Sequence, residues 1–424
     1  MLTIVRYGSP EMKTAFQAIE RRAKADADAV RAEVRGRLDD IFARGADAVS
    51  ELSIKFDGAP PREVPKGERR AALDSCDPTL IDDLRRAAKN IEGYQKRLLP
   101  QGSMWTNPDG GAVGYEVRPV DRAGLYVPGG TSAYPSTVLM AIIPARVAGV
   151  REIVFCTPPG TQLKPEVLAA AEIAGADRVF AMNGVAAIAS MALGLGMVPR
   201  CDVVAGPGNA FVTETKRQLF GFCGIDSTAG PSDILVLADG SGDPAWVAAD
   251  LLSQAEHGAR SGAVLVALDE GFARAVCDEL SRQIAILPRR AEAEEALRNY
   301  GAAVVAETRE DALAAVNSLA PEHLEIFTRD PETWLPGVRN AGAVFLGGFA
   351  PEPLGDYWAG PSHILPTGGG ARFFSALSVE TFLKRISVLS YDRYTFANVS
   401  APIARLARVE GLEAHARSAE ERYK

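Results

Sequence analysis

The sequence predicts an α/β protein with two parallel-sheet units, extended at both ends by helices. From about residue 110 onward, short β-branched runs alternate with helical stretches, beginning with REIVFCTPP, PEVLAAAEIAGA and DRVFAMNG. Strands that are apolar on both faces and alternate with helices are typical of parallel sheets covered on both sides. The number of these strands, and a break at GIDSTAGPS, favour two such units rather than one.

The elements follow this plan in order. The first hundred residues are predicted to be helical, and Ser9 followed by Pro10 is typical of a helix start. After the break, the alternation resumes with SDILVLADG, SGAVLVALD, GAAVVAET, LEIFT and GAVFLGG. The last forty or so residues, from SVETFLKR onward, are predicted to be helical, and they hold too few apolar residues to form a core of their own.

Composition limits the class of protein. The chain has 424 residues, of which 47% are apolar and 24% charged, as in ordinary globular proteins. Its net charge of −8 argues against nucleic acid or an anionic membrane as the main partner. No apolar stretch is long enough for a membrane span, no secretory signal is visible, and the five cysteines form no CxxC pair. These observations predict a cytoplasmic protein with reduced thiols.

Two regions offer candidate metal ligands. His257 closes a predicted helix that begins at Asp243, and Gln254 lies three residues earlier on the same face. The pair could hold a metal such as zinc, but a histidine at a helix end also interacts favourably with the helix dipole, and the residues alone favour that alternative. Asp356, in PLGDYWAGPSHILPTGGG, is either a metal ligand or part of an Asx turn.

The remaining histidines are ambiguous on spacing alone. His363 lies in the same glycine-rich stretch and is either functional or only a hydrogen-bonding residue of the loop. His415, near the end of the chain, is typical of a solvated helix histidine.

Glu322 and His323 are adjacent in SLAPEHLEIF, after a proline and just before an apolar run. Two neighbouring titratable groups at a loop-to-strand boundary suit proton transfer. The alternative, an ordinary surface acid before a strand, has about equal weight without further information.

Two glycine-rich stretches are candidate ligand sites. GLYVPGGTSAYPSTVLM combines glycines with hydroxyl groups and is a candidate nucleotide or substrate cleft. VVAGPGNAFV follows a predicted strand and opens a helix, which suits a phosphate, although a tight turn needs glycine in any case. Because the chain contains no GxGxxG fingerprint, generic motifs support nicotinamide binding only weakly.

Taken together, these stretches resemble the histidinol dehydrogenase family. The resemblance rests on an ordered set of segments from about residue 110 to beyond residue 412, namely the two glycine-rich stretches, GIDSTAGPSD, LLSQAEHG, APEHLEI, GDYWAGPSHILPT and EGLEAH. It implies two incomplete Rossmann-like domains with small helical extensions. The implied boundaries are an N-terminal extension at 1–22, a first domain at 23–104 with 233–377, a second domain on the NAD side at 105–232, and a tail at 378–424 that reaches the partner subunit.

The resemblance also implies the activity and the cofactors. It implies a cytoplasmic homodimer that oxidises L-histidinol through L-histidinaldehyde to L-histidine, using two NAD in turn, with one zinc ion per subunit. The implied zinc ligands are Gln254, His257, Asp356 and, from across the interface, His415 of the partner subunit.

Roles for further residues follow from the same resemblance. His323 is implied as the general base of both oxidation steps, Glu322 as the group that activates water, and zinc as the ion that positions the substrate. Tyr126 and Asn209 match positions that contact NAD. The implied substrate contacts are Ser232, Gln254, His257, His323, Asp356, Glu410 and His415.

The chain departs from the family pattern at several positions. Ala186 replaces a glutamine, Ala141 an asparagine and Ser227 a methionine, while Asp233 stands where GPS is usually followed by glutamate. These changes leave open the cofactor affinity and the substrate, and the sequence as a whole leaves open the choice between NAD and NADP. The alternatives are a paralogous zinc- and NAD-dependent dehydrogenase of another small polar alcohol such as sulfopropanediol, a non-catalytic metal-binding relative, and a zinc hydrolase. Glu410, in EGLEAH, favours histidinol because the amine of that substrate needs a carboxylate partner.

Overall fold

Two six-stranded sheets organise the larger part of the chain in the computed structural model, which describes residues 2–22, 27–129, 133–160 and 163–423. Residues 130–132 of the first glycine-rich stretch lie outside the described residues. In the described ranges the strands are β1 (Ile4–Arg6), β2 (Arg62–Glu63), β3 (Ser103–Thr106), β4 (Ala112–Pro119), β5 (Arg122–Tyr126), β6 (Glu152–Thr157), β7 (Arg178–Ala181), β8 (Val203–Ala205), β9 (Gly224–Ile225), β10 (Asp233–Ala238), β11 (Gly262–Ala267), β12 (Gly301–Val305), β13 (His323–Phe327), β14 (Ala343–Leu346) and β15 (Leu383–Ser390).

The helices alternate with these strands. They are α1 (Pro10–Arg21), α2 (Ala27–Arg44), α3 (Ala46–Asp57), α4 (Lys66–Ser75), α5 (Pro78–Arg97), α6 (Pro135–Ala148), α7 (Pro165–Ala174), α8 (Gly184–Leu193), α9 (Ala210–Leu219), α10 (Pro244–Ala255), α11 (Glu270–Ile284), α12 (Arg290–Tyr300), α13 (Arg309–Leu319), α14 (Glu352–Tyr357), α15 (Arg393–Val409) and α16 (Glu413–Glu420).

The strand order defines sheet A and sheet B. Sheet A has the order β1-β12-β11-β10-β13-β14, and its strands are parallel. Sheet B has the order β2-β7-β6-β5-β8-β9, and it is parallel except for the short edge strand β2. The predicted break at GIDSTAGPS falls between β9 of sheet B and β10 of sheet A. The prediction of an α/β protein with two parallel-sheet cores is therefore confirmed.

Alternation along the central strands explains why sheet A is buried on both faces. In β10, Ile234 and Val236 face a core formed with α10, α11 and α12, whereas Leu235 and Leu237 face a core formed with α1 and α13. Successive side chains of a strand point to opposite faces, so a strand covered on both sides must be apolar throughout. Sheet B has a core of its own, which includes Val154 of β6 and Val204 of β8.

Two predicted helix starts are confirmed by their caps. The Ser9 hydroxyl accepts a hydrogen bond from the Met12 N–H at 3.1 Å, ahead of Pro10 at the start of α1. The Asp243 carboxylate accepts one from the Ala245 N–H at 2.8 Å at the start of α10. However, α10 ends at Ala255, so His257 lies in the turn beyond the helix and not in its last turn as predicted.

The chain divides into two bodies. The large body comprises residues up to 98 together with 121–382, and it contains both six-stranded sheets. The small body comprises residues 99–120 and those from 383 onward. The family's domain boundaries at residues 22, 104, 232 and 377 stay predictions.

The small body corrects the prediction of an entirely helical tail. Residues 383–390 form the strand β15, which pairs antiparallel with β4 in a three-stranded sheet of the order β15-β4-β3. Its Ile386 and Val388 are β-branched and suit a strand, but most of its side chains are exposed, so the apolar run that would signal a buried strand is missing. The helices α15 and α16 follow as predicted.

All five cysteines lie in the described part of the chain and are unpaired, and Cys156, Cys201 and Cys223 are buried. Within that same part, the longest helices lack the run of apolar residues that crossing a membrane would require.

Candidate active site

A cavity of about 1280 Å³ in the large body is lined by several of the candidate site residues. From sheet A it is lined by Ser232, which precedes β10, and by Glu322 and His323, which begin β13. From sheet B it is lined by Pro207 and Gly208, which follow β8. The cavity thus lies between the amino ends of strands in sheet A and the carboxyl end of a strand in sheet B.

Glu322 and His323 stand at the loop-to-strand boundary that the sequence predicts. Helix α13 ends at Leu319 and is followed by Ala320, which has a left-handed backbone with a φ of 52°, and β13 begins at His323. The Ala343 N–H donates to the Glu322 carbonyl at 2.9 Å, and a Cβ on Gly342 would lie 2.6 Å from that same oxygen. The backbone at the start of the neighbouring strand β14 therefore packs tightly against Glu322. The exposed fractions of Glu322 and His323 are 4% and 3%, so Glu322 is not a surface acid.

Asp233 forms hydrogen bonds with both Glu322 and His323. Its N–H donates to Glu322 Oε2 at 3.1 Å, and its Oδ1 accepts from the Glu322 N–H at 2.8 Å. Its carbonyl oxygen lies 3.1 Å from His323 Nδ1. The contacts are close because β10 and β13 are adjacent, with Ile234 paired to His323.

The bond to Asp233 fixes the form of the His323 ring. Because a carbonyl oxygen only accepts hydrogen bonds, Nδ1 carries the proton and Nε2 has a free lone pair. Nε2 is buried, lacks a hydrogen-bond partner in the described ranges, and lies 3.8 Å from Asp356 Oδ1. The ring therefore has a nitrogen beside Asp356 that is free to accept a proton.

Burial favours the uncharged form of both members of the pair. Desolvation raises the pKa of Glu322 well above its usual range, and the charges of Asp233 and Glu352 act in the same direction. Desolvation also lowers the pKa of His323, although the charge of Asp356 opposes this effect. A neutral imidazole can accept a proton, and a positive charge bound nearby would favour the ionised form of Glu322.

Gln254 lies in the last turn of α10, three residues before His257, whose N–H donates to the Gln254 carbonyl at 3.2 Å. The Gln254 side chain is fully buried, yet among the described residues neither its Oε1 nor its Nε2 has a hydrogen-bond partner. An unpaired buried amide costs about 1–3 kcal/mol in proteins. Such a group fits a site where a bound ligand completes its contacts.

Candidate metal-binding atoms meet beside this turn. One atom each of His257, Glu352 and Asp356 lies within 4.8 Å of the other two. Imidazole nitrogen and carboxylate oxygen are atoms that zinc binds well. The ring of His257 opens into the cavity, whose walls desolvate it and lower its pKa, so that the neutral, metal-binding form is favoured. These residues therefore fit a zinc ion.

Glu352 was not predicted from the sequence. It is 1% exposed and shares helix α14 with Asp356, four residues further on, so both side chains project from one face. Its Oε1 lies 3.9 Å from His323 Nδ1, and its Oε2 accepts from the Ser253 hydroxyl at 3.2 Å. The four-residue spacing in EPLGD was the available signal, but it required knowing that this stretch is a helix.

His363 joins the two sides of the cavity. Its Nδ1 lies 2.8 Å from the Asp356 carbonyl oxygen, and its Nε2 lies 3.0 Å from the hydroxyl of Thr137 on α6. Of the two interpretations that the sequence leaves open, the structure supports hydrogen bonding of the loop.

The predicted NAD contacts lie at the carboxyl edge of sheet B. Tyr126 ends β5 and is buried, and its hydroxyl donates to Asn183 Oδ1 at 2.5 Å. Asn209 caps α9, with its Oδ1 accepting from the N–H groups of Phe211 and Val212. Their contacts with NAD stay predictions.

The glycine turn after β8 is held from several sides. Gly206 has a φ of 116°, and a Cβ there would overlap the Tyr126 carbonyl oxygen. The buried Lys216 ammonium donates to the Gly206 carbonyl at 2.8 Å and to Asp226 at 2.6 Å, and the Gly206 N–H donates to Asp226 at 2.8 Å. Close packing and a left-handed backbone together explain the glycine at this position.

The departures from the family pattern are buried. Ala141 of α6 is 0% exposed, Ala186 of α8 is 4% exposed and Ser227 is 5% exposed. None of the three is among the described residues that line the cavity.

Two predicted site residues belong to the small body. Glu410 follows the last residue of α15, and His415 lies in α16; both side chains are exposed. Their contribution to the site stays a prediction.

Comparison with known proteins identifies relatives over nearly the whole chain. The model of the family described as histidinol dehydrogenase matches residues 20–423. Histidinol dehydrogenase of Moorella thermoacetica is 50% identical over 401 residues, covering 93% of this chain and 94% of that protein. The Bacillus subtilis protein is 46% identical over 409 residues, covering 96% of each chain. A crystal structure of histidinol dehydrogenase from Elizabethkingia anophelis superposes with a TM-score of 0.92 at 33% identity, covering 99% of this chain and 98% of that chain.

Proposed function

The chain belongs to the histidinol dehydrogenase family and is an oxidoreductase of histidine biosynthesis, and we propose that it oxidises L-histidinol through L-histidinaldehyde to L-histidine with two NAD in turn. One observation carries the proposed chemistry. The buried His323 ring has its Nδ1 proton committed to the Asp233 carbonyl and a free Nε2 beside Asp356. An oxidation that releases a hydride needs such a base at the alcohol oxygen.

The metal site is proposed at Gln254, His257 and Asp356, with His415 of the partner subunit as the fourth ligand. The unpaired Gln254 amide and the close approach of His257 to Asp356 support this assignment. When bound, zinc would hold the imidazole and amine of histidinol and so orient the alcohol. Ser232, at the cavity wall, and Glu410 of the partner subunit are proposed as further substrate contacts.

In the first oxidation, His323 Nε2 accepts the proton of the histidinol hydroxyl. The carbon loses a hydride to the nicotinamide of NAD, whose phosphates are proposed to lie against the turn at Gly206–Asn209. The products of this step are histidinaldehyde, NADH and one proton.

In the second oxidation, Glu322 in its carboxylate form accepts a proton from the water that adds to the aldehyde carbon. His323 accepts the proton of one hydroxyl of the resulting hydrate while the carbon loses a hydride to a second NAD. Histidine is the product. Enclosure of Glu322 in the same buried corner as His323 supports their action on one carbon atom.

The test is the number of NADH molecules formed per L-histidinol at complete turnover, with zinc supplied and with NAD and NADP compared. The proposal predicts two NADH and histidine as the product. Glu322→Gln should slow the second step selectively, so that histidinaldehyde accumulates and can be trapped. A folded, zinc-loaded protein that forms no NADH from histidinol would contradict the proposal, and other small polar alcohols would then be assayed.

The proposed homodimer has a separate test. His415→Ala and His323→Ala subunits should each be inactive alone, because each would disable every site. A mixture should recover part of the activity, because some hybrid sites would combine an intact His323 with an intact His415 of the partner subunit. No recovery after verified subunit exchange would contradict a shared site.

A further inference from the structure

We propose that Arg22 and Asp233 form a buried ion pair that positions Glu322 and His323 for the reaction. Arg22 follows the last residue of α1, far from the site along the chain, and Asp233 begins β10. Their exposed fractions are 2% and 1%, and Arg22 Nη2 lies 2.7 Å from Asp233 Oδ2. The roles of Glu322 and His323 in this inference rest on the proposed function.

The Arg22 guanidinium binds the whole segment that leads into β10. Nη2 donates to the Pro231 carbonyl at 2.7 Å and to the Ser232 carbonyl at 3.0 Å, in addition to Asp233. Nη1 donates to the Ile19 carbonyl at 2.9 Å, which ties the group to α1. One side chain thus fixes the backbone of Ser232, which lines the cavity, and the carboxylate of Asp233.

Asp233 transmits this constraint to the reacting groups. Its Oδ1 and N–H form reciprocal hydrogen bonds with Glu322, and its carbonyl accepts a hydrogen bond from His323 Nδ1. Any rotation of the Asp233 carboxylate or shift of its backbone therefore changes the orientation of Glu322, of the His323 ring, or of both.

The surroundings leave the pair little freedom. Gly262 begins the adjacent strand β11, and a Cβ there would lie 3.0 Å from Asp233 Cβ and 3.1 Å from Arg22 Nη1. Without Arg22, the Asp233 carboxylate would be buried without its cation, which is strongly unfavourable, and it would have to turn or admit water. A buried ion pair adds little net stability compared with apolar residues of similar volume. Its contacts with the reacting pair therefore point to positioning and not to stability.

The experiment compares Arg22→Met with a matched control, Arg69→Met. Arg69 is also 1% exposed, and its Nη1 donates to the Ala176 carbonyl at 2.7 Å, but it does not line the cavity. In the zinc-loaded protein, Arg22→Met should lower kcat for oxidation of histidinaldehyde by about 10- to 100-fold, the usual cost of misplacing reacting groups, with a smaller change in KM for histidinaldehyde. The alcohol step should fall less, because Glu322 acts only in the second step. Arg69→Met should leave both steps unchanged.

Further variants separate positioning from folding. Arg22→Lys keeps the charge opposite Asp233 and should recover part of the lost kcat. If Arg22→Met fails to fold, the double variant Arg22→Met/Asp233→Asn removes both charges and replaces it in the assay. A folded variant with wild-type kcat for the aldehyde step, or with losses equal to those of Arg69→Met, would overturn the proposal.

A second readout does not depend on turnover. The chain contains four histidines, so selective ¹⁵N labelling gives few imidazole signals, and His323→Gln assigns the one of interest. In the wild type, His323 should show the Nδ1–H form, and Arg22→Met should mix the two neutral forms, whereas Arg69→Met should not. If the wild type oxidises no histidinol, the proposed function fails, but this comparison still decides the positioning role. An unchanged His323 signal in folded Arg22→Met would contradict that role.

Discussion

Sheets A and B share one architecture but face the cavity with opposite ends. Sheet A contributes the amino ends of β10 and β13, where Asp233, Glu322 and His323 lie. Sheet B contributes the carboxyl ends of β5 and β8, where the glycine turn at Gly206 leads into α9. The titratable groups therefore come mainly from one sheet and the glycine turn from the other.

The two edges differ because helices begin after the carboxyl ends of parallel strands and end beside their amino ends. The carboxyl end of a parallel strand leads to a helix N-terminus, which carries partial positive charge and suits the phosphates of a nucleotide. The amino end of such a strand lies beside helix C-termini, which carry partial negative charge. Helix α10 ends just before His257 at the edge of sheet A, so its dipole favours a cation there. The edge of sheet B thus suits the proposed dinucleotide, and the edge of sheet A suits the proposed metal and base.

Removal of the base at sheet A should have the largest effect. His323→Gln should lower kcat of both oxidation steps by about 10³-fold, within the usual range for loss of a general base, because His323 Nε2 is buried, has no hydrogen-bond partner among the described residues and lies 3.8 Å from Asp356 Oδ1. Zinc content and KM for NAD should stay near the wild-type values. Steady-state assays with histidinol and with histidinaldehyde, alongside metal analysis, measure this. His363→Asn serves as the control, and an equal loss in that variant would remove the special role of His323.

Gln254→Met tests the metal site that is proposed at the same edge. Methionine has a similar shape without the amide, so the variant should lose zinc and activity. In the absence of zinc, the variant should be as stable as the zinc-free wild type or about 1 kcal/mol more stable, because an unpaired buried amide is removed. Metal analysis and thermal unfolding in a chelator give both quantities. A zinc-free variant that is clearly less stable than the zinc-free wild type would show that the amide is structural.

A substitution at the edge of sheet B should weaken the binding of NAD. In Gly206→Ala, the new Cβ would overlap the Tyr126 carbonyl, and the displaced turn should raise KM for NAD about 10-fold while zinc content stays unchanged. Gly221→Ala is the matched control, because Gly221 also has a left-handed backbone, with a φ of 106°, but open space around its Cα. If both variants raise KM for NAD equally, backbone strain and not the close approach at sheet B explains the effect.

The smallest predicted effect concerns the buried acids around sheet A. Desolvation raises the pKa of Asp250 to about 6, and it raises the pKa of the neighbouring Glu325 well above its usual range. Because the folded-state pKa of Asp250 is raised, its contribution to stability is complete below the unfolded pKa near ~4 and is lost as the pH rises through about 6. Asp250→Asn should therefore gain on the order of 1–2 kcal/mol relative to the wild type between pH 4 and pH 7.

Chemical denaturation across this pH range measures the difference. Asp82→Asn, at an exposed carboxyl group, is the control and should show no such trend. If the stability of the wild type and of Asp250→Asn depended on pH in the same way, the assignment of this pH dependence to Asp250 would be contradicted.

Much of this arrangement could be predicted from local sequence. The apolar runs located the central strands of both sheets, and the caps at Ser9 and Asp243 located two helix starts. The placement of Glu322 and His323 at a loop-to-strand boundary was also confirmed. These features succeed because apolar periodicity and capping depend on neighbours within a few residues.

The rest depends on contacts between distant segments. Arg22 and Asp233 are 211 positions apart, and nothing around Arg22 in the sequence distinguishes it from other charged helix residues. Glu352 joins His257 only after α14 has folded against the end of α10. The exposed strand β15 lacks the buried apolar run on which a strand prediction depends. The use of opposite strand ends by the two sheets likewise follows from their packing and not from either segment alone.

The most direct test of the division between the two edges is a crystal structure with histidinol and NAD, measured at the zinc absorption edge. The account predicts an anomalous peak bounded by Gln254, His257 and Asp356, the histidinol hydroxyl within hydrogen-bond distance of His323 Nε2, and the NAD phosphates against the Gly206–Asn209 turn. A zinc peak away from these three ligands, or NAD bound without contact to the edge of sheet B, would contradict it.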